Sequence, residues 1–148
     1  MDWQARYYPP DVFQSLEQKI EAMIQSRTCE AAQIVREEID AVGTPGLKTL
    51  AKNHAALFVP LSPEIQLEAA AIESAYPDLM DPRSMHLSAD AYVIALAKVK
   101  EGIVVSQETS AQEKRNPKRS HFIPDVCRDL GIACINLLGL MRREKWTV

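Results

Sequence analysis

Three acids stand where a carboxylate can do chemistry, each set against apolar neighbours. Glu38 lies beside Val35 and Ile39, Asp90 sits between two alanines, and Glu108 follows an apolar run. Oxygen ligands from scattered carboxylates suit Mg2+ or Mn2+, which take one or two carboxylates together with water and substrate phosphates. Such ions lower the pKa of bound water and offset charge at a phosphodiester during in-line attack. A plainer account stands beside this one. Asp90 near a helix N-terminus stabilises the helix dipole with no further role. Glu38 is then a solvated helix residue and Glu108 a loop charge. With 20 acids in the chain, three falling near apolar segments is no surprise.

The stretch SADAYVIALAKVKEGIVVSQE, residues 88–108, must position two of the three. Ser88 is a good N-cap, and Ala91, Ile94, Ala95 and Val99 recur at helical spacing behind it. Gly102 closes a turn, and Ile103, Val104 and Val105 form a β-branched run expected of a strand buried on both faces. Ligand sites of open parallel α/β sheets lie outside the carboxyl ends of the strands. Asp90 in the first helical turn and Glu108 beyond the strand would both face such a crevice.

The rest of the chain supplies helices and further strands. Pro9 and Pro10 force an extended entry, and Asp11 is placed to cap a helix over 12–26 with Phe13, Leu16, Ile20, Met23 and Ile24 on one face. Residues 30–42 read as mostly helical, with a strand as the competing reading, and Gly43, Pro45 and Gly46 end them. A short helix over 47–53 precedes a strand in 56–61. Ser62 caps a helix over 63–74 with Pro63 at its first position. Residues 76–85 are loop, and 109–120 read as a mobile polar loop. A short helix opened by Pro124 runs to Leu130 and stops at Gly131, a strand covers 132–138, and a last helix follows. Strands alternating with helices predict an α/β fold with a mainly parallel sheet.

Composition bounds what the chain can be. At 148 residues it is one domain by size, and 47% apolar with 25% charged residues is ordinary for a globular protein. A net charge of −3 announces no nucleic-acid binder through the bulk field, so such a role needs a local basic patch. Lys114, Arg115, Lys118, Arg119 and His121 form one, able to contact phosphates or simply to be solvated. Tyr7, Tyr8 and Phe13 offer stacking surfaces, though packing is the expected use. Cys29, Cys127 and Cys134 lack CxxC spacing, which points to buried thiols in a reducing cytoplasm rather than to zinc. His54 and His86 have no acid or serine in a recognisable arrangement, and no apolar run is long enough to span a bilayer.

SADAYVIALAK followed by GIVVSQE resembles the second half of PIN-like domains, small metal-dependent nucleases that include the VapC-type toxins of bacterial toxin–antitoxin pairs. RYYPPDVFQSL near the start and HFIPDVCRDLGIACINLLGLMR near the end resemble one branch of that superfamily, in which IPDVC and CIN follow the catalytic strand. The match spans nearly the whole chain as a single domain, residues 1–148. It implies a three-layer α/β/α fold, a metal-activated water attacking RNA phosphodiesters, Mg2+ or Mn2+ as cofactor, and RNA and a cognate antitoxin as partners. A homodimer and no membrane association go with it. Carried over residue by residue, the ligands are Glu38 in VREEI, Asp90 in ADxxxIAxA and Glu108 after the fourth strand, with Asp125 in IPDVC as an auxiliary. The family pattern opens with a central strand carrying Asp and Asn, and this chain begins at MDWQ where that strand should have ended. The first strand and its acid are therefore expected to be missing, with an internal start codon as the reason. That loss keeps open a catalytically inactive PIN-like module binding RNA or protein, and a plain interaction domain as a third reading.

Overall fold

The computed structural model describes residues 8, 9, 11–81 and 88–147. The chain divides into two compact units, Met1–Pro60 with Trp146–Val148, and Leu61–Lys145.

In the first unit, α1 (Gln14–Gln25) buries Leu16 and Ile24, the face its apolar spacing predicts. Asp11 does not cap it. The N-cap is Phe13 without a side-chain cap bond, and the Pro9 carbonyl instead accepts the amides of Val12 and Phe13 at 3.0 and 2.9 Å. Residues 30–42 resolve their ambiguity by dividing: β1 (Ala31–Ala32) leads directly into α2 (Gln33–Val42). Thr44 then caps α3 (Pro45–Asn53), with Pro45 in the first turn where its missing N–H costs nothing. A 3-10 turn, Ala55–Leu57, delivers β2 (Phe58–Val59) parallel to β1, with Ala31 opposite Phe58 and Ala32 opposite Val59. Ile39, Ala51 and Phe58 form the core between them. Arg36 closes it from the rim, donating to the Ala51 carbonyl at 2.8 Å and to Asp40 at 3.0 Å, with its guanidinium over the Phe58 ring.

The second unit is built on α4 (Pro63–Ala75) packed against α5 (Asp90–Val99). Ser62 caps α4 by accepting from the Ile65 amide at 3.2 Å. Ala69, Ala91 and Ala95 are fully buried, so small side chains let the two backbones approach while Ile65, Ile72 and Ile94 fill the seam. The exit of α5 follows the pattern of a helix closed by a left-handed residue. Gly102 N–H donates back to the Ala97 carbonyl at 2.8 Å, and Glu101 N–H to Lys98 at 3.3 Å. The sequence pattern assigns the special conformation to Gly102, but Glu101 carries it, with φ +53°. Arg27 after α1 does the same with φ +56°, whereas Gly131 at φ +69° meets the need without strain.

Beyond this turn, β3 (Val104–Val105) runs parallel to β4 (Cys134–Ile135), tied by Val104 N–H to Ala133 and Ser106 N–H to Ile135, both 2.9 Å. Val104 is buried and Val105 is 44% exposed, so the strand is covered on one face rather than two. Between the strands lie a 3-10 turn, Ala111–Glu113, and α6 (Ile123–Asp129), and α7 (Leu137–Arg143) follows. The last strand is two residues long, not seven, because Asn136 already caps α7, its Oδ1 accepting from Gly139 N–H at 2.8 Å. The architecture is mixed α/β, mostly helical, with short parallel strands. No helix among the described residues is long and apolar enough to cross a membrane.

Candidate functional site

The carboxyl end of β3 is where the second unit gathers polar groups. Ser106 Oγ accepts from the Glu108 amide at 3.1 Å and fixes the turn out of the strand. Glu108 then reaches the start of α6, where its Oε2 accepts from Ile123 N–H at 3.1 Å. Gln107 does the same for α7, its Oε1 accepting from Leu137 N–H at 3.4 Å. Free amides of a helix's first turn need such acceptors, so both side chains act as helix caps supplied by the strand.

Asp125 completes the cap of α6 from inside. It is 2% exposed; its Oδ2 accepts from Phe122 N–H at 3.0 Å and from Ala111 N–H at 2.9 Å, and its Oδ1 from Arg128 at 3.2 Å. The buried carboxylate thus pins the 3-10 turn to the helix.

The basic stretch is anchored at its far end. Arg119 donates to the Leu79 carbonyl, lies 3.8 Å from Glu108 Oε1, and holds its guanidinium 4.4 Å from the centre of the Phe122 ring. Lys114 Nζ sits 4.2 Å from the same ring centre. His121 Nδ1 lies 2.6 Å from Asp78 Oδ1, and Asp78 Oδ2 accepts from Ser120 N–H at 2.8 Å. The expected mobile loop is therefore clipped to the exit of α4. Arg115 and Lys118 stay exposed, as a phosphate contact requires.

Desolvation alone would raise the Asp78 carboxyl, but the hydrogen bonds from His121 and Ser120, with the His121 charge, outweigh it and hold the group below its usual value. A carboxyl lowered on folding stabilises the folded state at pH above its unfolded value of about 4. That contribution is lost as pH falls through the lower folded value. Asp78→Asn should lower the urea midpoint in the neutral region and flatten the acid limb below about pH 4, so that the two curves converge at low pH. An identical acid limb in both proteins would rule out this clip.

Asp90 is the first residue of α5, half-buried, and its amide donates to Ser88 Oγ at 3.3 Å; the formal N-cap is Ala89. A turn at Glu101 ends the helix, and β3 follows in contact with α5. Glu38 belongs to the first unit, half-buried on α2. Among the described residues, no three His, Cys, Asp or Glu side chains form a group able to hold a metal ion. The carboxylates of Asp90 and Glu108 are nevertheless the hard oxygen donors Mg2+ and Mn2+ prefer, and Glu108 keeps lone pairs beyond its bond to Ile123.

Two thiols meet behind this end of the unit. The hydrogen bond between Cys127 and Cys134, then burial, pushes the Cys127 thiol up; the same bond draws the Cys134 thiol down against burial and the Glu108 charge.

A family model described as a domain of unknown function, DUF4411, matches residues 1–148. The chain belongs to the DUF4411 family. No curated protein and no solved structure gives a match. In this DUF4411 chain, sequence reasoning missed Asp78 and Gln107. Asp78 follows Pro77 at a helix exit, where a short acid seeking backbone amides is a legible turn signal, although its partners lie some forty residues away. Gln107 carries no such signal, since its role depends on where α7 begins. His54, to which the sequence reading gave no acid partner, lies 3.4 Å from Glu21 in the first unit, and His86 lies outside the described residues.

Proposed function

We propose that this chain is a PIN-like, metal-dependent endoribonuclease of three-layer type, resembling the toxin of a type II toxin–antitoxin pair. The observation that supports the reading is the contact of β3 with α5 across the turn at Glu101. Ten helical residues rise about 15 Å, and β3 follows the turn at Glu101 and contacts α5, an order in which a chain running back along the helix would bring Glu108 toward Asp90. Mg2+ or Mn2+, when bound, supplies a water of lowered pKa and offsets phosphate charge. Asp90 and Glu108 hold the cation's oxygen shell in place, and Arg115 and Lys118 steer the RNA backbone. Glu38 enters through the resemblance alone, and Asp125 serves by fixing the α6 cap beside Glu108. A cognate antitoxin and a homodimer belong to the same reading.

Asp90→Asn should lower Mn2+-dependent RNA cleavage by at least about 100-fold, given that losing even a ligand's outer partner costs about 10- to 100-fold. Cleavage that survives in Asp90→Asn, or in excess EDTA, would defeat the proposal. The second reading, an inactive module that binds RNA, is favoured by the engagement of Glu108 with Ile123 and Arg119. It expects binding without cutting, weakened about tenfold at low salt in an Arg115→Glu, Lys118→Glu double variant.

A further inference from the structure

Cys127 and Cys134 are seven positions apart, yet the fold turns them face to face. The exit of α6 is a left-handed turn at Gly131 in which Ile132 N–H donates to the Cys127 carbonyl itself at 2.8 Å. That bond sets the start of β4 directly beneath the last turn of α6. Within β4, Ala133 and Ile135 offer their carbonyls to β3, and the side chain of Cys134, between them, alternates to the opposite face from theirs. There its thiol neighbours that of Cys127, near enough that each alters the other's hold on its proton. Cys127 is fully buried and Cys134 half-buried, so Cys134 is the residue of the pair nearer to solvent. None of the chemistry proposed above uses either.

We propose that Cys127 and Cys134 form a reversible dithiol–disulfide site whose oxidant is a hydroperoxide. Cys134 Sγ attacks one peroxide oxygen, the O–O bond breaks, and water (an alcohol, for an organic peroxide) leaves with a sulfenic acid on Cys134. Cys127 Sγ then attacks that sulfur; the S–S bond forms, the S–O bond breaks, and the hydroxyl departs as water with the Cys127 proton. Two electrons pass from the thiol pair to the peroxide, and an external dithiol returns them by exchange. Closure of the bond sets the two sulfurs about 2.05 Å apart.

The test uses the full chain and hydrogen peroxide at small molar excess. Titratable thiols, counted after denaturation, should fall from three to one, and peptide mapping without reductant should give a Cys127–Cys134 cross-link lighter by two hydrogens. Dithiothreitol should restore all three thiols. Cys127→Ser should leave a sulfenic acid on Cys134 that dimedone traps, and Cys134→Ser should leave Cys127 reduced. If either variant fails to fold, the peptide map of the unaltered chain still decides. Cross-links through Cys29 or between chains, or oxidation of Cys29 while the pair stays reduced, would overturn the proposal.

Discussion

Asp125→Ala should destabilise the chain by about 3 kcal/mol, because it strips acceptors from two backbone amides at once. Phe122 N–H and Ala111 N–H both end on Asp125 Oδ2, and the carboxylate is 2% exposed, so water does not readily replace it. The fall in Tm should be about 10 °C for a chain of this size. The third partner separates the causes. Arg128 is 54% exposed, and its ion pair with Asp125 is screened, so Arg128→Ala should cost less than about 1 kcal/mol. Equal losses in the two variants would show that the ion pair, not the pair of amides, carries the effect.

Ile94→Ala should cost about 4 kcal/mol, at the upper part of the range for emptying a large aliphatic site in a rigid seam. Ile94 is fully buried, and Ala69, Ala91 and Ala95 around the α4–α5 contact are already as small as side chains with a Cβ can be. Backbones this close cannot move together to fill the gap. Leu67 on the outer face of α4 is 75% exposed, and Leu67→Ala should change stability by no more than about 0.5 kcal/mol. Urea denaturation of both variants measures the contrast. A loss below about 1 kcal/mol in Ile94→Ala would mean that the seam relaxes.

The helices were legible because their signals are local. Ser62 and Pro63 announce α4, and Ile94 and Ala95 fall on the face their spacing assigns. The strands were legible in place but not in extent. Two-residue strands leave almost no alternation to read, and Ala31–Ala32 carries no β-branched residue at all. Val105 shows the same limit, since one β-branched residue looks alike covered or bare. The site was half legible. Glu108 stands out as an acid after an apolar run, but its bond to Ile123 and the acceptance of the Ala111 amide by Asp125 arise only when residues fifteen and fourteen apart are folded together. Asp125 enters the sequence reading as an auxiliary ligand through the resemblance alone, and its hold on the Ala111 turn becomes visible only in the fold.

Seven residues of α6 serve three masters. Its first amide anchors Glu108, its third residue secures the Ala111 turn, and its fifth touches the thiol of β4. So short a rod has no slack with which to isolate one end from the other. Ligation at the carboxylate end and chemistry at the sulfur end would each be felt by the other as a change in apparent affinity, equal in both directions.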